Sequence, residues 1–174
     1  RVLRHERVIV SDVPGTTRDS IEIPFIIGSG PQARHYRLID TAGLRKIRRE
    51  DHPIERFSIM RAQKSIHDAD VVVLVMDAEQ GPTDQDKKIA GLILEARKGC
   101  ILLINKWDLA MGDTPVTQRA YEKALRKNMY FLNFAPIVFV SSQSGLNVRK
   151  AIDVIDQVAA QTTATVPTST LNKV

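Results

Sequence analysis

The sequence predicts an α/β fold built on a mostly parallel, doubly wound sheet, and two observations carry that expectation. Short runs rich in β-branched residues, such as VVVLVMD (Val71 to Asp77) and CILLIN (Cys100 to Asn105), alternate with amphipathic stretches of helical period. Polar residues stand where those runs end, at Asp40, Asp77, Asn105 and Ser141. In open parallel sheets ligands bind beyond the carboxyl ends of the strands, so these positions are the candidate site.

The elements follow in order along the chain. Ile21, Ile23, Phe25 and Ile27 alternate with other residues, the period of a strand. Pro24 lies inside that run and has no N–H for a ladder, which predicts an edge strand. Gly28 to Pro31 forms the turn and HYRLI (His35 to Ile39) the returning strand. Asp51 and Pro53 signal a helix start, with the helix expected to run to Ile66. Val71 to Asp77 reads as a strand covered on both faces. Thr83, followed by Asp84 and Asp86, opens a helix whose Ile89, Leu92, Ile93 and Ala96 share one face. Gly99 is expected to end it, before the buried strand CILLIN. Thr114-Pro115 has the N-cap and N1 pattern of a further helix. Pro136 to Ser141 is a strand, and Val148, Ala151, Ile152, Ile155 and Ala159 form the inward stripe of a last helix. Past Gln161 the Thr-rich, Pro-interrupted TTATVPTSTLNKV reads as a linker or the entrance to another domain.

Composition bounds the class. With 174 residues, 43% hydrophobic and 26% charged, the chain is expected to be one globular domain, or one with a short tail. A formal charge of +5 favours polyanionic partners such as RNA, a weak signal by itself. The single Cys100 excludes an internal disulfide framework and fits a reducing, cytoplasmic setting. No apolar run is long enough to span a membrane. RVLRHERVIV at the start is too polar for a signal peptide and lacks an initiator Met, so a fragment of a longer protein is expected. His5, His35, His52 and His67 lack metal-ligand spacing.

Four polar clusters carry chemistry. DVPGTTRDS (Asp12 to Ser20) looks like a loop built to meet a phosphate or a metal ion. In IDTAGL (Ile39 to Leu44) an Asp closing a strand can hold a water on Mg²⁺ while the Gly43 N–H points at a phosphate; the same letters also make an ordinary Asp–Gly turn. In LLINKWDL (Leu102 to Leu109) the Asp108 carboxylate can accept two parallel N–H bonds from a guanine edge, which adenine cannot supply. Asn105 can complement N7 and the Lys106 stem can cover the ring; the alternative is an Asx-capped turn with Trp107 packing beneath it. In VSSQSG (Val140 to Gly145) Ser141 and Ser142 can offer backbone N–H groups to a base carbonyl, or simply link a strand to a helix.

Taken in order, GTTRD, DTAG, NKWD and SSQ resemble the motifs of a translational-type GTPase domain of the Era-like group. ERVIVSDVPGTTRDSI, LIDTAGLRK, FSIMR (Phe57 to Arg61), DAEQGPTDQD, INKWDL and APIVFVSS are similar to the second GTPase domain of the EngA/Der double-GTPase family. The resemblance implies the P-loop GTPase (G domain) fold with helices on both sheet faces, over residues 1–161. Residues 162–174 would be the linker into a KH-like domain. It also implies GTP/GDP with Mg²⁺, hydrolysis of GTP, and a role in assembly of the large ribosomal subunit through that subunit or its rRNA.

The resemblance distributes roles by position. Thr17 would bind Mg²⁺ and the γ-phosphate, and Asp40 would hold the ion through water. Thr41, Ala42, Gly43 and Leu44 would form the second switch loop, with Thr17 and Gly43 serving the reaction. Asn105, Lys106, Trp107 and Asp108 would form the guanine loop, supported by Ser141, Ser142 and Gln143. Leu44 stands where Ras-type enzymes place a water-orienting Gln. The resemblance therefore implies a K⁺ ion held by Ser11, Val13 and Thr16. The basic cluster Arg45, Lys46, Arg48 and Arg49 is either a partner contact or a solvated loop.

No G-x-x-x-x-G-K-S/T motif occurs in the 174 residues. The expectation is that this phosphate loop and the first strand lie upstream of Arg1. That strand would separate HYRLI from VVVLVMD, and its loss would leave two unpaired edges at about 1–3 kcal/mol for each dry group. Two rivals stand beside this reading. One is an Era-like or tRNA-modification GTPase domain; the other is a nucleotide-deficient interaction module that keeps the fold without the phosphate loop.

Overall fold

The computed structural model describes residues 21–40, 52–110 and 116–164, leaving aside the side chains of 21, 40 and 52–58. The chain divides into two compact units, the boundary falling between Ala69 and Asp70.

In the first unit β1 (Ile21–Ile27) pairs antiparallel with β2 (Arg34–Asp40). The register sets Phe25 opposite Tyr36, and their rings stack 4.9 Å apart at 13°. Such cross-strand aromatic pairs are a main source of hairpin stability. Gly28 and Gly30 take φ of +89° and +65° in the connection, where a Cβ would be strained. β1 has β2 as its one strand partner among the described residues, the edge position that Pro24 requires. α1 (His52–Asp68) begins where Asp51 and Pro53 place it and runs past Ile66; Ala62, Ser65 and Ile66 are its buried stripe.

The second unit is a parallel sheet of β3 (Val71–Asp77), β4 (Gly99–Asn105) and β5 (Ile137–Phe139), in the order β3-β4-β5. Parallel neighbours need crossovers, supplied by α2 (Asp84–Glu95) and α3 (Gln118–Asn128); α4 (Val148–Thr163) follows β5. β4 is the central strand, and Cys100, Ile101, Leu102 and Ile104 are buried whichever way they point. Burial pushes the Cys100 thiol up to about 12, so it is an inert core group. β3 differs from the two-faced strand that its sequence predicts. Leu74 and Met76 are buried, but Val75 is 37% exposed. Among the described residues β3 ends this sheet, and α4 covers its other face around Val71, where Ile101, Val138, Val140, Ala151 and Val158 form the core.

The helix ends show how local chemistry sets the connections. Thr83 Oγ1 accepts the Asp86 N–H at 3.2 Å while Asp86 Oδ2 accepts the Thr83 N–H at 2.9 Å, the reciprocal capping box that the sequence predicts. Gly99 does not terminate α2. Arg97 takes the left-handed position at φ +54°, its N–H donates to Leu94 O at 3.0 Å, and the Lys98 N–H donates to Ile93 O at 3.3 Å. These paired bonds are the Schellman ending, here without glycine. Gly99 instead opens β4 because α4 passes close by: a Cβ there would lie 2.8 Å from both Val158 Cγ1 and Thr162 Cγ2. Thr114-Pro115 lies outside the described residues, and α3 is capped by Thr117, which accepts the Ala120 N–H at 3.2 Å. α4 continues past Gln161 to Thr163, so helix overruns the sequence-derived start of the linker.

Gly99→Ala is expected to destabilise the protein by about 1–3 kcal/mol through overpacking. Adding Val158→Ala should recover part of the loss. Urea denaturation of the three proteins measures this; an unchanged midpoint for Gly99→Ala would show that α4 yields freely.

Candidate functional site

The parallel register places Asp77 beside Asn105 at the carboxyl end of the second-unit sheet. The Asn105 carbonyl accepts the Ala78 N–H at 2.9 Å, which carries the strand pairing into the loops. Lys106 then turns the chain through φ +60°, a conformation that costs a non-glycine residue about 1–2 kcal/mol. Three contacts hold it there. The Trp107 N–H donates to Val140 O at 3.0 Å, the Leu109 N–H donates to Lys106 O at 3.0 Å, and Lys106 Nζ lies 2.6 Å from Asp77 Oδ2. Beneath the loop Trp107 is only 2% exposed, its ring 4.4 Å from Phe139 and 5.4 Å from Tyr121. Asp108, next in the chain, is exposed.

The second loop leaves β5 alongside. The Val140 N–H donates to Ile104 O at 2.8 Å, extending the ladder beyond the strand. Ser141 is fully buried, its N–H donating to Leu146 O at 3.2 Å and its Oγ accepting the Ser144 N–H at 3.1 Å. The Ser142 N–H donates to Asn105 Oδ1 at 3.0 Å and so ties the two loops together. Asn147, at φ +55°, closes the loop by donating from Nδ2 to Phe139 O at 2.9 Å.

Electrostatics centre on Asp77. The hydrogen bond from Lys106 holds its carboxyl below the usual carboxylate range, and the Glu79 N–H, 2.9 Å from Oδ1, adds to this against the opposing effect of burial. Tyr121 is pushed up, first by burial and then by the Asp77 charge. Its hydroxyl is buried without a hydrogen-bond partner among the described residues.

Of the residues named from the sequence, Asn105, Lys106, Asp108 and Ser142 are brought together at this edge, and exposed Gln143 follows them. Two expected roles change. Trp107 is a packing residue whose buried ring offers nothing to a ligand. The Ser141 and Ser142 N–H groups, expected to serve a base carbonyl, are engaged by Leu146 O and Asn105 Oδ1. Asp40 closes β2 opposite Ile21, and its side chain lies outside the described residues. Ser11, Val13, Thr16, Thr17, Thr41, Ala42, Gly43 and Leu44 lie outside them too, as do Arg45, Lys46, Arg48 and Arg49. Among the described residues no three His, Cys, Asp or Glu side chains gather as a metal site. Sequence reasoning placed Asp77 among the strand-end candidates but missed its pairing with Lys106, and it missed Tyr121 and Asn147; an Asp closing the strand beside the Asn105 strand was the available signal for that pairing.

At the carboxyl edge one loop thus carries an exposed carboxylate, Asp108, and an amide, Asn105, whose oxygen accepts the Ser142 N–H. Comparison with known proteins gives the class. The fold matches Era, in a complex with MgGDPNP and nucleotides 1506–1542 of 16S ribosomal RNA, at TM-score 0.65 and 24% identity over 88% of this chain and 49% of that one. It also matches a probable GTP-binding protein, engB, at TM-score 0.60 and 16% identity over 83% of this chain and 85% of that one. These likenesses show the P-loop GTPase-like α/β fold. The family described as 50S ribosome-binding GTPase matches residues 1–106. The chain belongs to that family and, within it, to the Der/EngA GTPases. It is 44% identical over its whole length to GTPase Der of Caldanaerobacter subterraneus subsp. tengcongensis, and 45% over 172 residues to that of Heliobacterium modesticaldum. It spans 38% of the length of each. No described helix is long and apolar enough to cross a membrane.

Because the Asp77 carboxyl titrates below its ordinary value when folded, its contribution to stability is present above the ordinary carboxylate range. That contribution disappears as pH falls through the lowered value. Asp77→Asn should therefore be less stable than the parent at pH 7, with the gap closing in acid. Urea midpoints at neutral and acid pH test this; a gap independent of pH would remove the ion pair as its cause.

Proposed function

We propose that the chain is a guanine-nucleotide switch domain that hydrolyses GTP and acts in assembly of the large ribosomal subunit. In this reading residues 1–161 serve as the second GTPase domain of a longer protein, and 162–174 lead towards a KH-like domain. One observation carries the nucleotide part. Asn105 is fixed by the Ser142 N–H, through its side-chain oxygen, while Asp108 keeps its carboxylate exposed on the same loop. A carboxylate accepts both the ring N–H and the exocyclic amine of guanine, and leaves its acceptor capacity unmet by adenine. The bond to Asn105 Oδ1 leaves that amide's N–H₂ for N7. Lys106 keeps an exposed stem for the ring face. Thr17 and Asp40 are proposed for Mg²⁺, and Ser11, Val13 and Thr16 for K⁺. The ribosomal part rests on the family, its Der relatives and the +5 charge.

In an NMR titration, millimolar GDP should shift the amides of Asn105, Asp108 and Ser142, and ADP should not. Asp108→Asn replaces an acceptor with a donor and should turn the preference from GDP towards XDP by tenfold or more, of the order of one charge-assisted bond. Equal shifts from GDP and ADP would overturn the reading. GTP turnover by the intact, longer protein should be faster in KCl than in NaCl, since Leu44 cannot orient water by a hydrogen bond; equal rates would remove K⁺ from the mechanism.

A further inference from the structure

Away from the carboxyl-edge loops, α3 carries Arg119, Lys123 and Lys127 at four-residue spacing, which sets them in one stripe along the helix. All three are exposed, and none forms an ion pair with a described residue. The helix has a single acid, Glu122, and it is 3.4 Å from Arg126 on the flank of the stripe. The exposed face is therefore cationic without internal neutralisation.

Just beyond the stripe the chain enters a short 3-10 turn, Tyr130–Leu132. Met129, Leu132 and Ala135 are buried at 1%, 0% and 0% exposure, while Tyr130 and Phe134 stand 71% and 58% exposed. Arg126 Nη1 donates to Leu132 O at 3.0 Å, which ties this turn to the helix and keeps its presentation fixed. Two outward aromatic rings on an anchored turn are an unfavourable use of apolar surface unless something covers them. Exposed rings that follow a row of cations within a few residues of chain suit one chemistry in particular: unstacked bases lie on the rings while their phosphates meet the cations.

We propose that Tyr130 and Phe134, with the Arg119–Lys123–Lys127 stripe, form a binding surface for single-stranded RNA. Charge favours a polyanion over a protein partner, since the stripe carries three exposed cations and the helix's one acid, Glu122, is paired with Arg126 on its flank. The rings favour a single strand over a duplex, whose bases are already stacked. The choice of RNA rests on the ribosomal reading above; the surface itself does not depend on the nucleotide site.

The test is fluorescence anisotropy of the whole 174-residue chain with a labelled single-stranded RNA dodecamer and with a duplex of equal length. The double variant Tyr130→Ala, Phe134→Ala should weaken single-strand binding by roughly five- to a hundredfold per ring, with the duplex unaffected. Tyr130→Leu, Phe134→Leu keeps apolar bulk and should lose the same affinity. Lys123→Gln with Lys127→Gln should weaken both ligands and flatten the single-strand log–log salt slope by about 1.4. Single-strand binding that is unchanged in the aromatic variants, or lost equally for duplex and single strand, overturns the proposal. So does RNA binding indifferent to all variants, the result expected of a protein-docking face. GDP-dependent amide shifts without RNA binding would sink this surface alone. RNA binding with the stated dependences but no GDP shifts would support the surface and sink the nucleotide reading.

Discussion

The register of β3 against β4 decides whether there is a site to discuss. In the parallel pairing Asp77 falls opposite Asn105, and everything in the loops above depends on that one match. Side chains alternate across a strand, so a slip of a single residue would turn Asp77 to the other face and remove the partner of Lys106. The slip is opposed by burial. A slip of β3 would carry Leu74 and Met76 from their buried face to the one on which Val75 is 37% exposed. Core packing thus acts on the loops at a distance, by fixing which polar side chains arrive together.

Within the loop, stability and recognition are divided between neighbouring residues. Trp107 goes down among Phe139 and Tyr121, and that burial offsets the left-handed turn at Lys106. Asp108 is then presented outward without having to supply any of the loop's own stability. The Ser142 N–H performs the matching task for Asn105, orienting an amide that would otherwise rotate freely. Preorganised polar groups of this kind lower the ordering cost when a ligand arrives.

Elements whose cause is local were legible in the sequence. The Thr83–Asp86 capping box, the Pro24 edge strand and the α4 stripe each depend on residues within one turn or one strand. What escaped has its cause elsewhere in the chain. Gly99 reads as a helix terminator until α4, far along the sequence, is seen to occupy the space of its missing Cβ. Thr114-Pro115 and Thr117 both precede the same helix, and only geometry shows Thr117 receiving the Ala120 N–H. Asp77 looks like any strand-ending Asp, since its partner Lys106 is brought to it by strand pairing. For the same reason the four letters of NKWD indicate an inward Trp107 no better than an outward one.

Pro24 has a consequence beyond the hairpin it sits in. β1 has a single strand partner among the described residues, and Ile26 on it is 60% exposed. An apolar edge of this kind is a template on which copies of a chain can add to one another. A strand with proline at its midpoint cannot offer an unbroken row of donors and acceptors along both sides. The residue that marks β1 as an edge therefore also guards against self-assembly, and the hairpin can carry exposed apolar side chains with less risk of seeding aggregates.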